Sequence, residues 1–292
     1  MELKQANLIS SNMFQEVSST MERVKIKVDL EKCTRCGLCA EVCPSSIIQV
    51  REQGPTLIWD KACIRCGHCV AICPQGAMDH TANPLTGQVD VSQLPNVDAA
   101  TAERFLRSRR SIRSYKADAV PHRDILKVLD VARFAPSGGN SQGVSFLVLT
   151  DRVILKKITE NVIEWLEEQI RQEVVWVKSY AGIVKIYRDT GYDIVLRGAP
   201  NLVLALYDSR NPIGRDNGRY ALTYAELYAP SAGLGSCWAG FFEMAAFANY
   251  QPLLALLDLP AGQAIAGAIM MGVPKYRYQR LVDRNPLNAV IR

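Results

Sequence analysis

Between residues 122 and 134, apolar side chains fall at 125, 126, 128, 129 and 131, the spacing of one helix face, and Pro136 and Gly138 mark its end. VSFLVLT (144–150) is an apolar run of strand length, and Asp151 after it can cap the next helix. In that helix Leu155, Ile158, Val162, Leu166 and Ile170 keep a single face. NLVLALYD (201–208) predicts a second strand, followed by a helix over 217–232. IAGAIMMGV (265–273) predicts a third, buried strand. Strands and helices mixed in this order predict an α+β fold, a sheet packed by helices.

Ahead of residue 101 this periodicity disappears. Residues 83–100, NPLTGQVDVSQLPNVDAA, hold two prolines and no helical repeat, so they read as a linker. Before them, eight of the nine cysteines fall within 41 residues. Cys33, Cys36, Cys39 and Cys43 form one set and Cys63, Cys66, Cys69 and Cys73 the other. Each reads C-x2-C-x2-C-x3-C-P, closed by Pro44 and Pro74, at an offset of 30 residues. The flanks repeat too, EKCTRCGLCAEVCPSSI against DKACIRCGHCVAICPQGA, so the segment is an internal duplication. The expected organisation is an N-terminal extension (1–22), a cysteine-rich domain (23–82), a linker (83–100) and a larger domain (101–292).

Composition narrows the classes. A chain of 292 residues with 48% hydrophobic and 22% charged residues suits two globular domains rather than disorder. No uninterrupted apolar stretch reaches the roughly 18 residues of a membrane span. The first twenty residues have no apolar core of signal-peptide length, so a cytoplasmic location is expected. The formal charge of +5 hints at nucleic acid, but no motif that reads DNA or RNA accompanies it.

Disulfides would require an oxidising compartment. Zinc would use paired C-x2-C units across a longer loop, not three close cysteines followed by Cys-Pro. Four thiolates at this spacing suit a [4Fe–4S] cube. Residues 23–82 resemble the bacterial-type two-cluster ferredoxins, with all eight cysteines and both prolines matched. The resemblance implies two [4Fe–4S] clusters whose fourth ligands cross between the repeats. Cys33, Cys36, Cys39 and Cys73 would hold one cluster, and Cys63, Cys66, Cys69 and Cys43 the other. His68 stands where the first repeat has Leu38, and reads as a spacer. Two oxidised clusters with their thiolates add about four negative charges, which nearly cancels the basic balance.

Four stretches of the larger domain carry chemistry. In RSRRSIRSYK (107–116), alternating Arg109, Ser111 and Arg113 can grip a phosphate through guanidinium forks and a hydroxyl. APSGGNSQ (135–142) is a turn whose glycines let backbone approach a flat ligand and whose Asn140 offers an amide. GLGSCWAG (233–240) is a helix end running into a glycine-bounded turn. GVPKYRYQRLVDR (272–284) places Lys275, Arg280 and Arg284 past the last strand. In this order the stretches resemble the FMN-dependent nitroreductase family over roughly 101–292. The resemblance implies a homodimer with FMN at its interface. It assigns Arg109, Ser111 and Arg113 to the FMN phosphate and ribityl chain, with Arg110 as a backbone contact, and Asn140 to the flavin ring. Ala239 and Gly240 would place backbone N–H groups near flavin N5, and Arg280 and Arg284, ahead of Lys275, would join the phosphate site. The leftover Cys237 is given no chemical role. Tyr220, Tyr224 and Tyr228 recur every four residues, a core or dimer stripe first and a substrate stack second.

No triad, carboxylate pair or phosphate-transfer loop is present, as befits chemistry carried by a cofactor. The expectation is an enzyme in which a low-potential donor such as ferredoxin, not a nicotinamide, feeds the clusters. Electrons then pass to FMN and to a small organic acceptor: a nitroaromatic, quinone, activated alkene or halogenated aromatic. The alternative is an electron relay to a partner protein.

Overall fold

The structure, a computed structural model, describes residues 24–292. The expected N-terminal extension lies outside the described residues. Chain contacts divide the molecule into two compact units that meet between Pro95 and Asn96.

The first unit is short elements around cysteine loops. They are β1 (Ile26–Val28), α1 (Leu38–Glu41), β2 (Ile48–Arg51), β3 (Gly54–Leu57), α2 (His68–Ala71) and β4 (Met78–His80). β1 pairs antiparallel with β4 and β2 with β3, so each ribbon is only two strands wide. Cys39, Ile48, Cys69, Val70 and Met78 fill a small core. So small a core is marginal alone, which makes bound metal an expected contributor to stability. Part of the expected linker is folded here: Asn83 Nδ2 donates to Arg65 C=O (2.6 Å), and Leu85 N–H donates to Asp79 Oδ1 (2.8 Å).

The second unit is built on an antiparallel sheet of order β5 (Val144–Leu149), β6 (Asn201–Asp208), β8 (Gln263–Gly272), β7 (Gly235–Trp238). Its central strands are buried on both faces, hence their nearly continuous apolar sequence. Alternation sorts them: Leu202, Leu204 and Leu206 face one core, and Val203 and Ala205 the other. The first core is covered by α5 (Arg152–Arg171), α6 (Ala181–Thr190), α8 (Gly240–Phe247) and α9 (Gln251–Ala255). The second is covered by α4 (His122–Ala132) and α7 (Gly214–Tyr228). Asp151 caps α5 by accepting from Val153 and Ile154 N–H. Among the described residues, no helix is long and apolar enough to cross a membrane.

Three sequence expectations shift. The predicted helix over 217–232 starts earlier, at Gly214, and ends as a 3-10 turn over Ala229–Ala232, where Pro230 breaks the α pattern. Residues 99–100, assigned to the linker, open a helix, α3 (Ala99–Ser108), capped by Asp98. GLGSCWAG is not a bare turn: it contains β7, which pairs with β8 from Gly235 opposite Gly272 to Trp238 opposite Ile269.

Candidate functional site

In the first unit the two cysteine loops share a backbone. Arg35 and Arg65, Gly37 and Gly67, and Ser46 and Gly76, each pair 30 residues apart, all adopt positive φ. The glycines start α1 and α2, which carry the buried third cysteines Cys39 and Cys69. Cys33, Cys36, Cys39 and Cys73 line one hollow with Val28, Pro55 and Met78. Cys43, Cys63, Cys66 and Cys69 line a second with Ile26, Ile48 and Leu57. Each cavity takes three thiols from one repeat and one from the other.

These quartets fit cubes rather than point ions. Among the described residues no three Cys, His, Asp or Glu side chains converge on a single-ion position. Four sulfurs spread around an apolar cavity suit a four-iron group. Burial pushes the Cys39 thiol up, and the Cys69 thiol up to about 11. Such thiols become thiolates only where metal charge compensates. Sulfur also receives donors: Ala77 N–H reaches Cys73 Sγ (3.3 Å) and Arg65 N–H reaches Cys63 Sγ (3.4 Å).

In the second unit, residues 109–116 run along the sheet edge. Ile112 N–H donates to Ser236 C=O (2.9 Å), Lys116 N–H to Val273 C=O (2.9 Å), and Lys275 N–H to Ser114 C=O (3.0 Å). Gly235 permits this approach, since a Cβ there would lie 2.6 Å from Ile112 Cγ1 and 2.8 Å from Pro274 Cγ. Arg109 Nη1 sits 3.7 Å from Oε1 of Glu226, a carboxylate only 4% exposed. Trp238 Nε1 donates to the other oxygen of Glu226. Burial pushes the Glu226 carboxyl up, against the pull of Arg109, and its Oε1 accepts no hydrogen bond. Trp238 in turn carries the Arg219 guanidinium 4.5 Å over its ring. Arg219 pairs with Glu243 (3.4 Å), and Glu243 accepts from Ala268 N–H (2.9 Å).

Arg110 turns elsewhere. Its guanidinium lies 5.1 Å over the Tyr278 ring, and its Nε is buried without a partner. It lines a wide cavity with Lys116, Lys275, Arg277 and Arg280, and among the described residues no carboxylate lines that cavity. An adjoining hollow takes Arg107, Arg109, Arg110 and Arg284, with Asp283. Arg280 and Arg284 therefore come to Arg110, and Lys275, ranked below them from sequence, shares the cavity of Arg280. A concentration of cations with an orphaned Arg110 Nε fits a phosphate group.

Asn140 has φ 51° in a turn that Asn217 secures: Gly138 N–H donates to Asn217 Oδ1, and Asn217 Nδ2 to Ser141 Oγ, both at 3.1 Å. Of the Ala239–Gly240 pair, Ala239 N–H is spent on Ala268 C=O (2.9 Å). Only the Gly240 N–H, in the first turn of α8, stays available to a ligand. Asn140 and Gly240 line neither basic cavity. Cys237 is buried in the first core, near Ser111 and Arg113, and its thiol is pushed up by burial. Of the tyrosine stripe, Tyr220 and Tyr224 are exposed, and Tyr228 packs on the second core. Glu226, Asn217 and Tyr278 escaped the sequence reading; a lone Glu inside an apolar helix face was the one available signal.

The 4Fe-4S dicluster domain matches residues 25–86, and the nitroreductase family matches residues 106–273. A relative from Archaeoglobus fulgidus, described as a candidate NADH dehydrogenase/NAD(P)H nitroreductase, is 27% identical over 172 residues, 59% of this chain and 84% of its own. An iodotyrosine deiodinase from Thermotoga neapolitana is 30% identical over 134 residues, 44% of this chain and 68% of its own. A solved nitroreductase with bound FMN from Desulfitobacterium hafniense shares the fold with a TM-score of 0.53 at 18% identity, over 65% of this chain and 97% of that one. The chain belongs to the nitroreductase family, an oxidoreductase with a 4Fe-4S dicluster domain ahead of its family domain.

Proposed function

We propose that this chain is an iron–sulfur flavoprotein that draws single electrons from a low-potential donor such as ferredoxin and delivers pairs to a small organic acceptor. Nitroaromatics, quinones, activated alkenes and halogenated aromatics are the acceptor classes. The observation that carries this reading is the pair of four-cysteine cavities in the same chain as a nitroreductase domain. The bound groups supply one-electron transfer at two [4Fe–4S] clusters and hydride-level transfer at FMN.

The chain's own residues bind and orient. Arg109, Ser111 and Arg113 alternate along the edge segment and take the phosphate and ribityl chain, backed by Arg110, Arg280, Arg284 and Lys275. The free Gly240 N–H aims a dipole where negative charge develops on the ring, and Asn140 supplies an amide to it. Glu226 and Trp238 hold Arg109 and the turn before Gly240 in one framework. Asn140 and Gly240 line neither of the two basic cavities that hold the phosphate-side arginines, which supports a homodimer that completes each site. Eight reduced thiols favour a reducing compartment, in keeping with the cytoplasm.

Iron, sulfide and flavin analysis of anaerobically prepared protein tests the cofactor set. About eight iron atoms and about one FMN per chain are expected. Zinc, or about four iron atoms, rejects it.

A further inference from the structure

The duplicated half-domains are nearly equivalent in backbone, yet among the described residues one cysteine site has a buried side-chain donor that the other lacks. His80 closes β4 and is 2% exposed. Its Nε2 lies 3.5 Å from Cys63 Sγ, and its Nδ1 accepts the Ala82 N–H at 3.0 Å. With Nδ1 occupied as an acceptor, the ring proton sits on Nε2 and points at the sulfur. The ring is also held in place, because Asn83, three residues on, ties to the Arg65 carbonyl between two of the ligands. Thirty residues earlier, the corresponding position is Val50, which has no donor. Among the described residues, the cavity of Cys33, Cys36, Cys39 and Cys73 has polar lining, beyond the cysteines, from the exposed Thr34, Arg35 and Gln75.

We propose that His80 is a positioning residue that tunes the two clusters apart: its N–H to Cys63 Sγ selectively raises the reduction potential of the cluster held by Cys43, Cys63, Cys66 and Cys69. A hydrogen bond to a ligand sulfur stabilises the reduced, more negative cluster more than the oxidised one. The inference rests on reading the cysteine quartets as two cluster sites. It makes the Cys63 site the better one-electron acceptor than it would be without His80, and leaves the other site untouched.

The test is a potentiometric titration of the anaerobically reconstituted full chain, followed by electron paramagnetic resonance. His80→Leu should lower one of two midpoints and leave the other in place, and His80→Gln, which keeps an N–H donor, should restore most of the loss. Unchanged midpoints, or both moving together, overturn the proposal. If the leucine variant does not assemble, pulsed resonance on chain labelled with nitrogen-15 histidine decides. The wild type should show imidazole coupling at one cluster, lost in His80→Gln; no coupling, or coupling that survives the substitution and so belongs to His68, overturns it. Iron and sulfide counted on the same samples separate the two claims. Fewer than two clusters in the wild type rejects the reading of the quartets, whereas two clusters with unshifted midpoints reject the role of His80 alone.

Discussion

Arg109 is shared between a buried carboxylate on one side and the hollow of Arg107, Arg110 and Arg284 on the other. Its guanidinium is thereby held ready for an anion without rearrangement, which lowers the entropy cost of binding. Arg109→Ala should weaken FMN by about 1.5–3 kcal/mol, roughly ten- to a hundredfold, as measured by flavin fluorescence titration; stoichiometric FMN after long dialysis would remove Arg109 from the phosphate site. The same substitution leaves Glu226 buried without a cation, so thermal stability should also fall. Glu226 itself has a folded-state pKa raised by burial, so the folded chain holds its proton more tightly than the unfolded chain. Its contribution is therefore present at acid pH and is lost as pH rises from the unfolded value through the raised one. Glu226→Gln should flatten that fall in melting temperature as pH rises above the ordinary glutamate range, and an unchanged slope would place the titration elsewhere. The two cysteine quartets that line the cavities were legible because their spacing is itself the signal. Glu226 and His80 were not, since each meets its partner only after the chain has folded back on itself, and an isolated Glu or His carries no pattern.

Among the elements, long apolar runs announced themselves and short ones did not. β6 and β8 are buried on both faces and read as continuous hydrophobic stretches, whereas β7 is four residues, GSCW, opening on a glycine. Its strand character comes from pairing with β8, and the 109–116 segment then bridges to it through Ser111 and Ser236. Gly235 is the joint between the two. Gly235→Ala should cost about 1–3 kcal/mol by overpacking and should push Ile112, and with it Arg109 and Ser111, off the edge. FMN affinity should fall together with melting temperature; retained affinity would show that the edge segment is not what shapes the phosphate site. By contrast, the Arg188–Glu167 pair joining α6 to α5 is part-exposed at 45% and 32%. Its loss in Arg188→Ala should cost under about 1 kcal/mol in chemical denaturation. The α3 helix was hidden because its first turn falls in a proline-bounded polar stretch, where only the Asp98 cap marks a start.

At the scale of the whole molecule, the two units answer different needs. The larger unit has two extensive cores and enough chain to stand without metal, while the first unit has one small core of Cys39, Ile48, Cys69, Val70 and Met78. Chelating the iron should therefore unfold the first unit and leave the sheet of the second intact, a difference that circular dichroism before and after chelation would register. If the clusters only braced the fold, electron delivery to FMN would not depend on them. A cluster passes one electron at a time, and two clusters can assemble the pair that a flavin delivers; direct hydride transfer from a nicotinamide would bypass both. The decisive measurement follows flavin bleaching under anaerobic conditions in the full chain and in a fragment beginning at Asp98, each mixed with reduced ferredoxin and, separately, with NADH or NADPH. The account predicts fast bleaching by ferredoxin in the full chain alone. Equal bleaching of both by the nicotinamides, with none from ferredoxin, would contradict it.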